Sequence, residues 1–310
     1  MSATCSYVHA ALRLETKFVY SNLYNAEIGD HVFPTNKYRL IHDRLAAEKI
    51  ITANNVVAPA MPDKKDLLRI VAREYLDDLV HLRTTIRTFP SEMPVTQVII
   101  EAQMLCCDGS YQAAQAAMDC GGCYHIGGGF HHAFPDHAEG FCYLNDICYA
   151  AVRMLENGVK KIAVVDCDLH QGNGTAKFFE HEDRVFTFSI HQEHLYPKKE
   201  RSNLDIGLDF NTGDDEYLKD LDGALTTVIK EFKPELIIYL AGADPYMFDQ
   251  LGNLKLTIAG LIKRDEMVVG RARENGIPVA AVLGGGYAED LNDTVEIHCN
   301  TARAMKKILG

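Results

Sequence analysis

Four short runs of apolar and β-branched residues, separated by longer segments with helical periodicity, constrain the fold of this chain more than any other feature. The runs comprise residues 161–166, 185–190, 235–241 and 278–283. Runs of this kind predict buried strands, and helices between them predict a parallel sheet covered on both faces. We therefore predict a single-domain, three-layer α/β/α sandwich with a mostly parallel sheet, over residues 1–310, with residues 1–16 as a peripheral N-terminal extension.

Helical periodicity fills most of the chain between these runs. It is clearest in residues 214–232, where Tyr217, Leu221 and Leu225 fall on one face and acidic residues stand at the positive end of the helix dipole. Six further segments have patterns that predict helices, namely residues 36–50, 63–83, 96–118, 142–157, 257–275 and 290–309. No repeat and no long polar linker divides the sequence.

The composition of the 310 residues is that of a globular protein, with 47% hydrophobic and 24% charged residues. A formal net charge of −12 argues against nucleic acid as a partner, because binding to a phosphate backbone depends on clustered Lys and Arg. The same charge would attract basic protein tails, although solubility alone also explains it. No segment approaches the roughly 18 consecutive apolar residues of a membrane span.

Nine cysteines, in a sequence without the pattern of a signal peptide, favour reduced thiols and a cytoplasmic location. Cys120 and Cys123 have the spacing of a redox motif, but they precede a predicted strand and do not begin a helix, whose dipole would activate a thiol. We therefore interpret this pair as buried or incidental cysteines rather than as a redox or structural zinc site.

Residues that bind metals follow two of the predicted strands at their carboxyl ends, where ligands bind in parallel sheets. Asp166, Asp168 and His170 follow the first run, and Asp244 follows the third. Alternate side chains of an extended chain point the same way, so we expect Asp168 and His170 to share a metal ion with Asp244. Such a set leaves positions open for water and substrate, as in catalytic zinc sites, and ferrous iron accepts it too. Each acid taken alone has an alternative role as a strand-end cap or a salt-bridge partner.

The sequence predicts one metal ion rather than two. Binuclear hydrolases of similar layout need a further Asp two residues after the His and another two residues after the third ligand. Gly172 and Tyr246 stand at these positions. Neither side chain replaces a carboxylate.

Two adjacent histidines, His131 and His132, follow three glycines at the end of another predicted strand. The glycines permit close approach of the backbone to a pocket. Paired imidazoles there suit the transfer of a proton from an attacking water and to a leaving amine, with Asp166 and Asn173 as the candidates to orient them. The alternative is an ordinary surface or core pair.

Two other histidines have patterns typical of structural residues. His137 lies in a segment that we predict to be an exposed loop. His298 falls on the apolar stripe of the last predicted helix, with Val295 and Ala302.

Tyr287 follows a second glycine triplet, Gly284 to Gly286, at the end of the fourth run. Its hydroxyl is placed to donate a hydrogen bond to the oxyanion that forms when water adds to an amide. A tyrosine that simply packs at a strand end is the alternative. Neither glycine triplet resembles a phosphate-binding loop, because no Gly-Lys-Ser or Gly-Lys-Thr follows.

These motifs, taken together and in this order, resemble the histone deacetylase superfamily. The resemblance extends over about two-thirds of the chain and includes the segments GGGFHHAFPDHAEGFCYLNDICYAA, VVDCDLHQGNGT, FSIHQEHLYP, LAGADPYMFDQLG and LGGGY. It implies the arginase/deacetylase fold and a zinc-dependent amidohydrolase. Smaller details, such as the Asp-x-Leu-Gly of residues 249–252 and the Asp-Asp-Glu-Tyr of residues 214–217, are most similar to the class IV branch, the histone deacetylase 11 type.

The resemblance also implies roles for individual residues. Asp168, His170 and Asp244 match the zinc ligands, and His131, His132 and Tyr287 match the catalytic groups, alongside Asp166 and Asn173. The positions that match the walls and rim of the substrate tunnel are Gly140, Phe141, Tyr196 and Leu251. The family also holds a potassium ion, for which Asp166 and Ser189 match two side-chain ligands.

Two positions bear on the activity and the substrate. Asn173 stands where some branches have Asp, and a neutral partner leaves His132 more readily a neutral base. Glu92 is present in the loop 84–94, but no substrate-clamping acid aligns there with certainty. The sequence therefore leaves three alternatives: a deacylase of acyl-lysine in proteins or peptides, a hydrolase of small acyl amides such as acetylpolyamines, and a non-catalytic acyl-lysine binding scaffold. It does not indicate the oligomeric state.

Overall fold

The computed structural model describes residues 15–310, which fold around one sheet of eight parallel strands. The order across this sheet is β2-β1-β3-β8-β7-β4-β5-β6. The strands are β1 (Lys17–Val19), β2 (Val56–Val57), β3 (Gly122–His125), β4 (Ile162–Asp166), β5 (Val185–Gln192), β6 (Leu204–Leu208), β7 (Leu236–Leu240) and β8 (Val279–Val282).

Helices cover both faces of the sheet. Within residues 15–310 they are α1 (Lys37–Ala47), α2 (Lys64–Leu67), α3 (Arg73–Val80), α4 (Gln97–Cys120), α5 (Asp146–Glu156), α6 (Asn173–Phe178), α7 (Asp214–Thr226), α8 (Ile258–Glu274) and α9 (Leu291–Leu309). Helix α4 packs on α5, whereas α1, α9, α8 and α7 pack side by side in that order. None of these helices is long and apolar enough to cross a bilayer.

The predicted fold class is confirmed: the molecule is a three-layer α/β/α sandwich with the arginase/deacetylase topology. Every predicted run is a strand, and the sheet is parallel throughout the described residues rather than mostly so. The segment 63–83 differs, because it forms two short helices, α2 and α3, and the last turn of segment 214–232 is a π-helix, Thr227–Phe232. The predicted extension, residues 1–16, lies outside the described residues except for Glu15 and Thr16.

Sheet topology brings four loops together. Strands β3, β8, β7 and β4 are consecutive neighbours, and parallel strands end at the same edge of a sheet. The glycine-histidine segment, the glycine-tyrosine segment, Asp244 and the Asp-x-His segment therefore converge, because each of them follows one of these four strands. The strands themselves are almost fully buried, which makes this edge a rigid support.

Candidate active site

Asp168, His170 and Asp244 form a buried cluster that could hold a metal ion. One ligand atom from each lies within 4.8 Å of the others. His170 Nδ1 is 3.2 Å from Asp244 Oδ2 and 3.3 Å from Asp168 Oδ1. The sequence-based expectation that Asp166, Asp168 and His170 share an extended chain is wrong, because β4 ends at Asp166 and the chain then bends.

Backbone hydrogen bonds within this bend bring the ligands together. The Asp168 N–H donates to the Asp166 carboxylate at 3.1 Å, and the His170 N–H donates to Asp168 Oδ1 at 3.0 Å. The N–H of Leu169 donates to Asp244 Oδ1 at 2.9 Å, which joins the bend after β4 to the loop after β7. Each carboxylate therefore has its orientation fixed by a neighbouring amide.

The charges of the cluster fit a cation. Burial, and then the nearby Asp168 carboxylate, raise the pKa of Asp244 to about 7. Two aspartates held this close inside a protein repel each other, and a divalent cation between them removes that repulsion. Two carboxylates and one imidazole are a donor set that zinc and ferrous iron both accept. Gly172 and Tyr246 stand where a second site would need acids, and the Tyr246 hydroxyl donates instead to Asp293 at 3.0 Å.

His131 and His132 lie next to this cluster with their rings in contact. Their Nε2 atoms are 3.1 Å apart. On the opposite side of each ring, His131 Nδ1 is 2.8 Å from Asp166 Oδ2, and His132 Nδ1 is 2.8 Å from Asn173 Oδ1. Each imidazole is thus held by one side chain, charged in the first case and neutral in the second.

The two imidazoles differ in their tendency to hold a proton. Burial alone would lower the pKa of His131, but the charges of Asp166 and Asp168 and the hydrogen bond with Asp166 raise it to about 9. Burial and the positive charges of His131 and His170 hold the pKa of His132 well below its usual value. His132 therefore binds a proton less readily than His131 does.

The glycine-histidine loop is held by Asp146 at the start of α5. Its carboxylate accepts the N–H groups of Gly129 at 3.1 Å and Phe130 at 2.8 Å. Gly129 has φ +87°, and a Cβ there would collide with the backbone of Gly284. Glycine is therefore required where the loops after β3 and β8 touch.

Tyr287 reaches the same space from the loop after β8. Its backbone N–H donates to Asp249 Oδ2 at 2.7 Å, and Asp249 Oδ1 accepts the N–H of Leu251 at 2.9 Å. Burial, followed by the charges of Asp244 and Asp168, raises the pKa of the Tyr287 phenol well above its usual value. The hydroxyl therefore stays protonated and available as a donor.

These groups surround a cavity of about 810 Å³, including its open mouth. The predicted substrate positions Gly140, Phe141, Tyr196 and Leu251 all line it, as do His131, His132, Asp168, His170 and Tyr287. Asp166, Asn173, Asp244 and Ser189 do not line it. The first three contact residues that do, and Ser189 pairs with Asp166 between β5 and β4.

Four further residues belong to this site and were not assigned from the sequence. Glu92 lines the cavity, and Glu139 accepts hydrogen bonds from Asn173 and Tyr196. Asp249 supports Tyr287, and Lys37 is buried against the loop after β8. The Asp-x-Leu-Gly pattern already drew attention to Asp249, whereas no sequence signal distinguishes Lys37 from a surface lysine.

The residues interpreted as structural do not line the cavity. His137 is half-buried in a loop, with Nδ1 2.7 Å from Asp136 Oδ1. His298 is fully buried in α9. Cys120 ends α4 and Cys123 lies in β3, and the eight cysteines among the described residues are all free.

Comparisons with known proteins agree with this architecture. The model of the histone deacetylase domain matches residues 31–302. An uncharacterised protein of a Picosynechococcus strain is 35% identical over 90% of this chain and 94% of its own length. Histone deacetylase 2 of Arabidopsis thaliana is 30% identical over 91% of this chain and 78% of its own length. The crystal structure of a histone deacetylase homologue from Aquifex aeolicus has the same fold, with a TM-score of 0.82 at 21% identity, over 94% of this chain and 84% of that one.

The fold, the site and these similarities define the class of the molecule as a deacetylase-type hydrolase with a buried Asp-His-Asp group at the edge of a parallel sheet. The chain belongs to the histone deacetylase family, since the family domain spans most of its length.

Proposed function

We propose that this protein is a zinc-dependent lysine deacylase of the class IV type, which removes acetyl or longer acyl groups from lysine side chains in proteins or peptides. The observation that carries the proposal is the convergence of a buried Asp168-His170-Asp244 cluster with His131, His132 and Tyr287 around one cavity. A protein that only binds acyl-lysine would not need metal ligands, two imidazoles and a phenol close to one another.

Asp168, His170 and Asp244 would hold the zinc ion. When bound, zinc supplies Lewis-acid polarisation of the amide carbonyl and of the attacking water. Ferrous iron fits the same donors and is the alternative. The sum of the ligand charges, two carboxylates and a neutral imidazole, leaves the site close to neutral with a divalent cation.

The two histidines divide the proton chemistry. His132, neutral because its pKa is low, accepts the proton of the attacking water at Nε2, while Asn173 holds its Nδ1. His131 keeps its own proton, because the Asp166 carboxylate compensates its charge, and it orients the water from Nε2. The proton taken up by His132 then passes to the leaving lysine amine.

Tyr287 stabilises the oxyanion of the tetrahedral intermediate. Its phenol remains protonated at neutral pH, so the hydroxyl donates to the developing negative charge. Asp249 holds the backbone of Tyr287, and the rings of Phe33 and Phe141 lie 6.1 and 5.9 Å from its ring centroid. These contacts hold the Tyr287 side chain in place before the substrate binds, so the reaction does not have to bring the hydroxyl into position.

The cavity suits an acyl-lysine chain. Phe141, Tyr196, Gly140 and Leu251 line the cavity. Phe141 and Tyr196 would flank the lysine methylenes, and Leu251 would lie at the rim. A second, much smaller cavity shares Phe33 and Phe130 with the first.

Glu92 supports both a peptide and a polyamine as the substrate. This exposed residue lines the cavity and has the left-handed φ of +62°, which is costly for a non-glycine residue and is often found at functional sites. Its carboxylate is suited to accept N–H groups of a peptide backbone or to pair with the ammonium of an acetylpolyamine. Hydrolysis of small acyl amides is therefore the second candidate function.

A potassium ion is proposed between Asp166 and Ser189. These residues are paired in register between β4 and β5, and both are buried. A cation there would offset part of the negative charge of Asp166 beside His131. The free cysteines of the described chain are compatible with a reducing compartment, and we propose the cytoplasm.

Turnover by the zinc-loaded and iron-loaded protein tests the proposal. The substrates are one lysine peptide carrying acetyl, octanoyl or myristoyl groups, and N-acetylated polyamines. We expect hydrolysis of the peptides with zinc, with loss of turnover in D244N. Faster turnover of polyamines would select the second candidate, and no turnover of any amide with one zinc bound per chain would indicate a scaffold.

A further inference from the structure

Glu139 links two parts of the site that do not otherwise touch through polar groups. Its carboxylate Oε1 accepts a hydrogen bond from Asn173 Nδ2 at 2.9 Å and from the Tyr196 hydroxyl at 3.1 Å. Asn173 contacts His132 Nδ1 on its other side, at 2.8 Å. A chain of hydrogen bonds therefore runs from Glu139 through one amide to the imidazole of His132.

Glu139 is itself held in a rigid position. Its backbone N–H donates to the Cys142 carbonyl at 3.1 Å, and the Cys142 N–H donates to the Glu139 carbonyl at 2.9 Å. The two residues thus close a tight antiparallel bridge around Gly140 and Phe141, both of which have positive φ, +48° and +67°. The bridge fixes the backbone from which the carboxylate extends, and the hydrogen bonds from Asn173 and Tyr196 hold the carboxylate itself.

The charge of Glu139 determines how the amide of Asn173 is oriented. An ionised carboxylate accepts hydrogen bonds and donates none, so the NH2 group of Asn173 must face Glu139. The amide oxygen must then face His132, whose Nδ1 can bond to it only as an N–H donor. In the neutral ring this leaves the lone pair on Nε2, the atom that lies 3.1 Å from His131 Nε2.

We propose that Glu139 is a positioning residue that fixes, through Asn173, the orientation and the Nδ1–H tautomer of His132, and that holds Tyr196 against the same imidazole at the mouth of the cavity. The inference rests on the proposed function, since a fixed base is useful only if the site hydrolyses amides. Tyr196 fits the second part, because its ring centroid lies 5.4 Å from that of His132.

The surroundings keep Glu139 ionised, which the orientation argument requires. Partial burial would raise the pKa of Glu139, but hydrogen bonds from His137, Asn173 and Tyr196 lower it overall. His137 Nε2 lies 3.7 Å from the second carboxylate oxygen. That ion pair is partly exposed and contributes little by itself.

The test uses the zinc-loaded protein and two measurements that do not depend on each other. Imidazole 15N shifts report which nitrogen of His132 carries the proton, with the signals assigned by their loss in H132Q. Kinetics on an acyl-lysine peptide give kcat and KM for E139A, E139Q, N173A and the double variant E139A/N173A. E182A is the matched control, because the Glu182 carboxylate pairs with Arg184 rather than with Asn173 or Tyr196.

We expect E139A to mix the His132 tautomers and to lower kcat on the order of 10-fold, the scale of one lost positioning hydrogen bond. E139Q should recover most of the loss, because its side-chain oxygen can still accept from Asn173. In the N173A background the same E139A change should have almost no further effect on kcat. E182A should leave both the tautomer and kcat unchanged.

Exchanging the carboxylate and the amide between positions 139 and 173 gives a second test. N173D alone places two carboxylates against each other, and we expect a larger loss of kcat than for E139Q. The variant N173D/E139Q restores one carboxylate and one amide, and it should recover activity relative to N173D. No recovery would contradict a direct coupling between positions 139 and 173.

Unchanged His132 signals in E139A, or kcat effects of E139A and N173A that simply multiply, would overturn the inference. A wild-type protein that hydrolyses no amide, but whose His132 tautomer still follows Glu139, would overturn the proposed function and leave the positioning role intact. The two failures are therefore distinguishable.

Discussion

The ammonium group of Lys37 donates a hydrogen bond of 2.8 Å to the carbonyl oxygen of Gly284, inside the protein and directly behind the loop that carries Tyr287. Lys37 is fully buried, and burial lowers its pKa to about 8 even though Asp244, Asp168 and Asp249 act in the opposite direction. Its Nζ also lies 5.6 Å from the centre of the Tyr287 ring. A buried lysine is costly, so its contacts with this loop suggest that it holds the loop in place.

We predict that K37M lowers kcat on the order of 10-fold while zinc still binds, because the loop loses its buried donor and Tyr287 shifts by a fraction of an ångström. The measurement is steady-state kinetics together with zinc stoichiometry. K17M is the matched control, since Lys17 also donates to a backbone carbonyl, that of Asn54 at 3.0 Å, but on the surface. Equal effects of both substitutions would contradict the prediction.

Removal of the Tyr287 hydroxyl should reduce kcat by roughly 10²–10³-fold, the usual effect of losing one oxyanion donor. Y287F keeps the ring that packs against Phe33 and Phe141, so KM and the melting temperature should change little. Kinetics and a thermal melt measure these quantities. A large rise in KM with an unchanged kcat would show that Tyr287 binds the substrate instead.

Substitution of Asp249 should affect both the Tyr287 segment and the cavity wall at Leu251. Its carboxylate accepts hydrogen bonds from the backbone N–H groups of Tyr287 and Leu251, so D249A should lower kcat and raise KM together, each by roughly 10-fold, as expected when one buried and one partly buried hydrogen bond are lost. D293N is the control, because it alters a hydrogen bond of Tyr246 at the periphery. Kinetics on a short and a long acyl-lysine peptide test whether the rim is affected as well.

Zinc should bind to the folded protein and stabilise it. At a free concentration of about 100 Kd the stabilisation is roughly 2.7 kcal/mol, which a thermal melt detects as a shift of a few degrees. D244N should abolish both the shift and the activity, whereas D293N should preserve them. A zinc-dependent shift that persists in D244N would place the ion elsewhere.

The sequence was sufficient to predict the buried strands and the clustering of their ends, because both follow from hydrophobic pattern and parallel topology. Strands β1, β2 and β6 were not predicted. β2 and β6 lie at the two edges of the sheet, and β1 has only three residues, whose pairing with β2 and β3 depends on neighbours distant in sequence. The helical segment 63–83 was predicted as one element, but its pattern does not reveal the break before Arg73.

Within the site, the sequence indicated residues with a motif and missed residues that act through their position. His131, His132 and Tyr287 follow glycine triplets at strand ends, which made them recognisable in the sequence. Lys37 and Glu139 have no such pattern, because their significance lies in burial and in contacts across distances such as that from Lys37 to Gly284. The bend after Asp166 was missed for the same reason: side chain to backbone hydrogen bonds form it, not propensity.

His125 makes the stability of the protein depend on pH, and substitution of this one residue separates its contribution from that of other groups. It is fully buried in β3, where its Nδ1 is 3.0 Å from the Ser110 hydroxyl and its Nε2 is 2.8 Å from that of Tyr24. Burial lowers the pKa of His125 to about 3, from an unfolded value of about 6.5. Between these values the unfolded chain binds a proton that the folded chain does not.

Stability therefore rises with pH across this window and is lost as pH falls from about 6.5 towards 3, by roughly 1.4 kcal/mol per pH unit for one group. We predict that H125N lowers the free energy of unfolding at pH 7, because the hydrogen bonds are disturbed, yet makes it less dependent on pH between about 5 and 6.5. Urea unfolding at several pH values measures the slope. The control is H181N, since the His181 side chain is 91% exposed. If H125N and the wild type had parallel pH profiles, His125 would have to be protonated or solvated in the folded state.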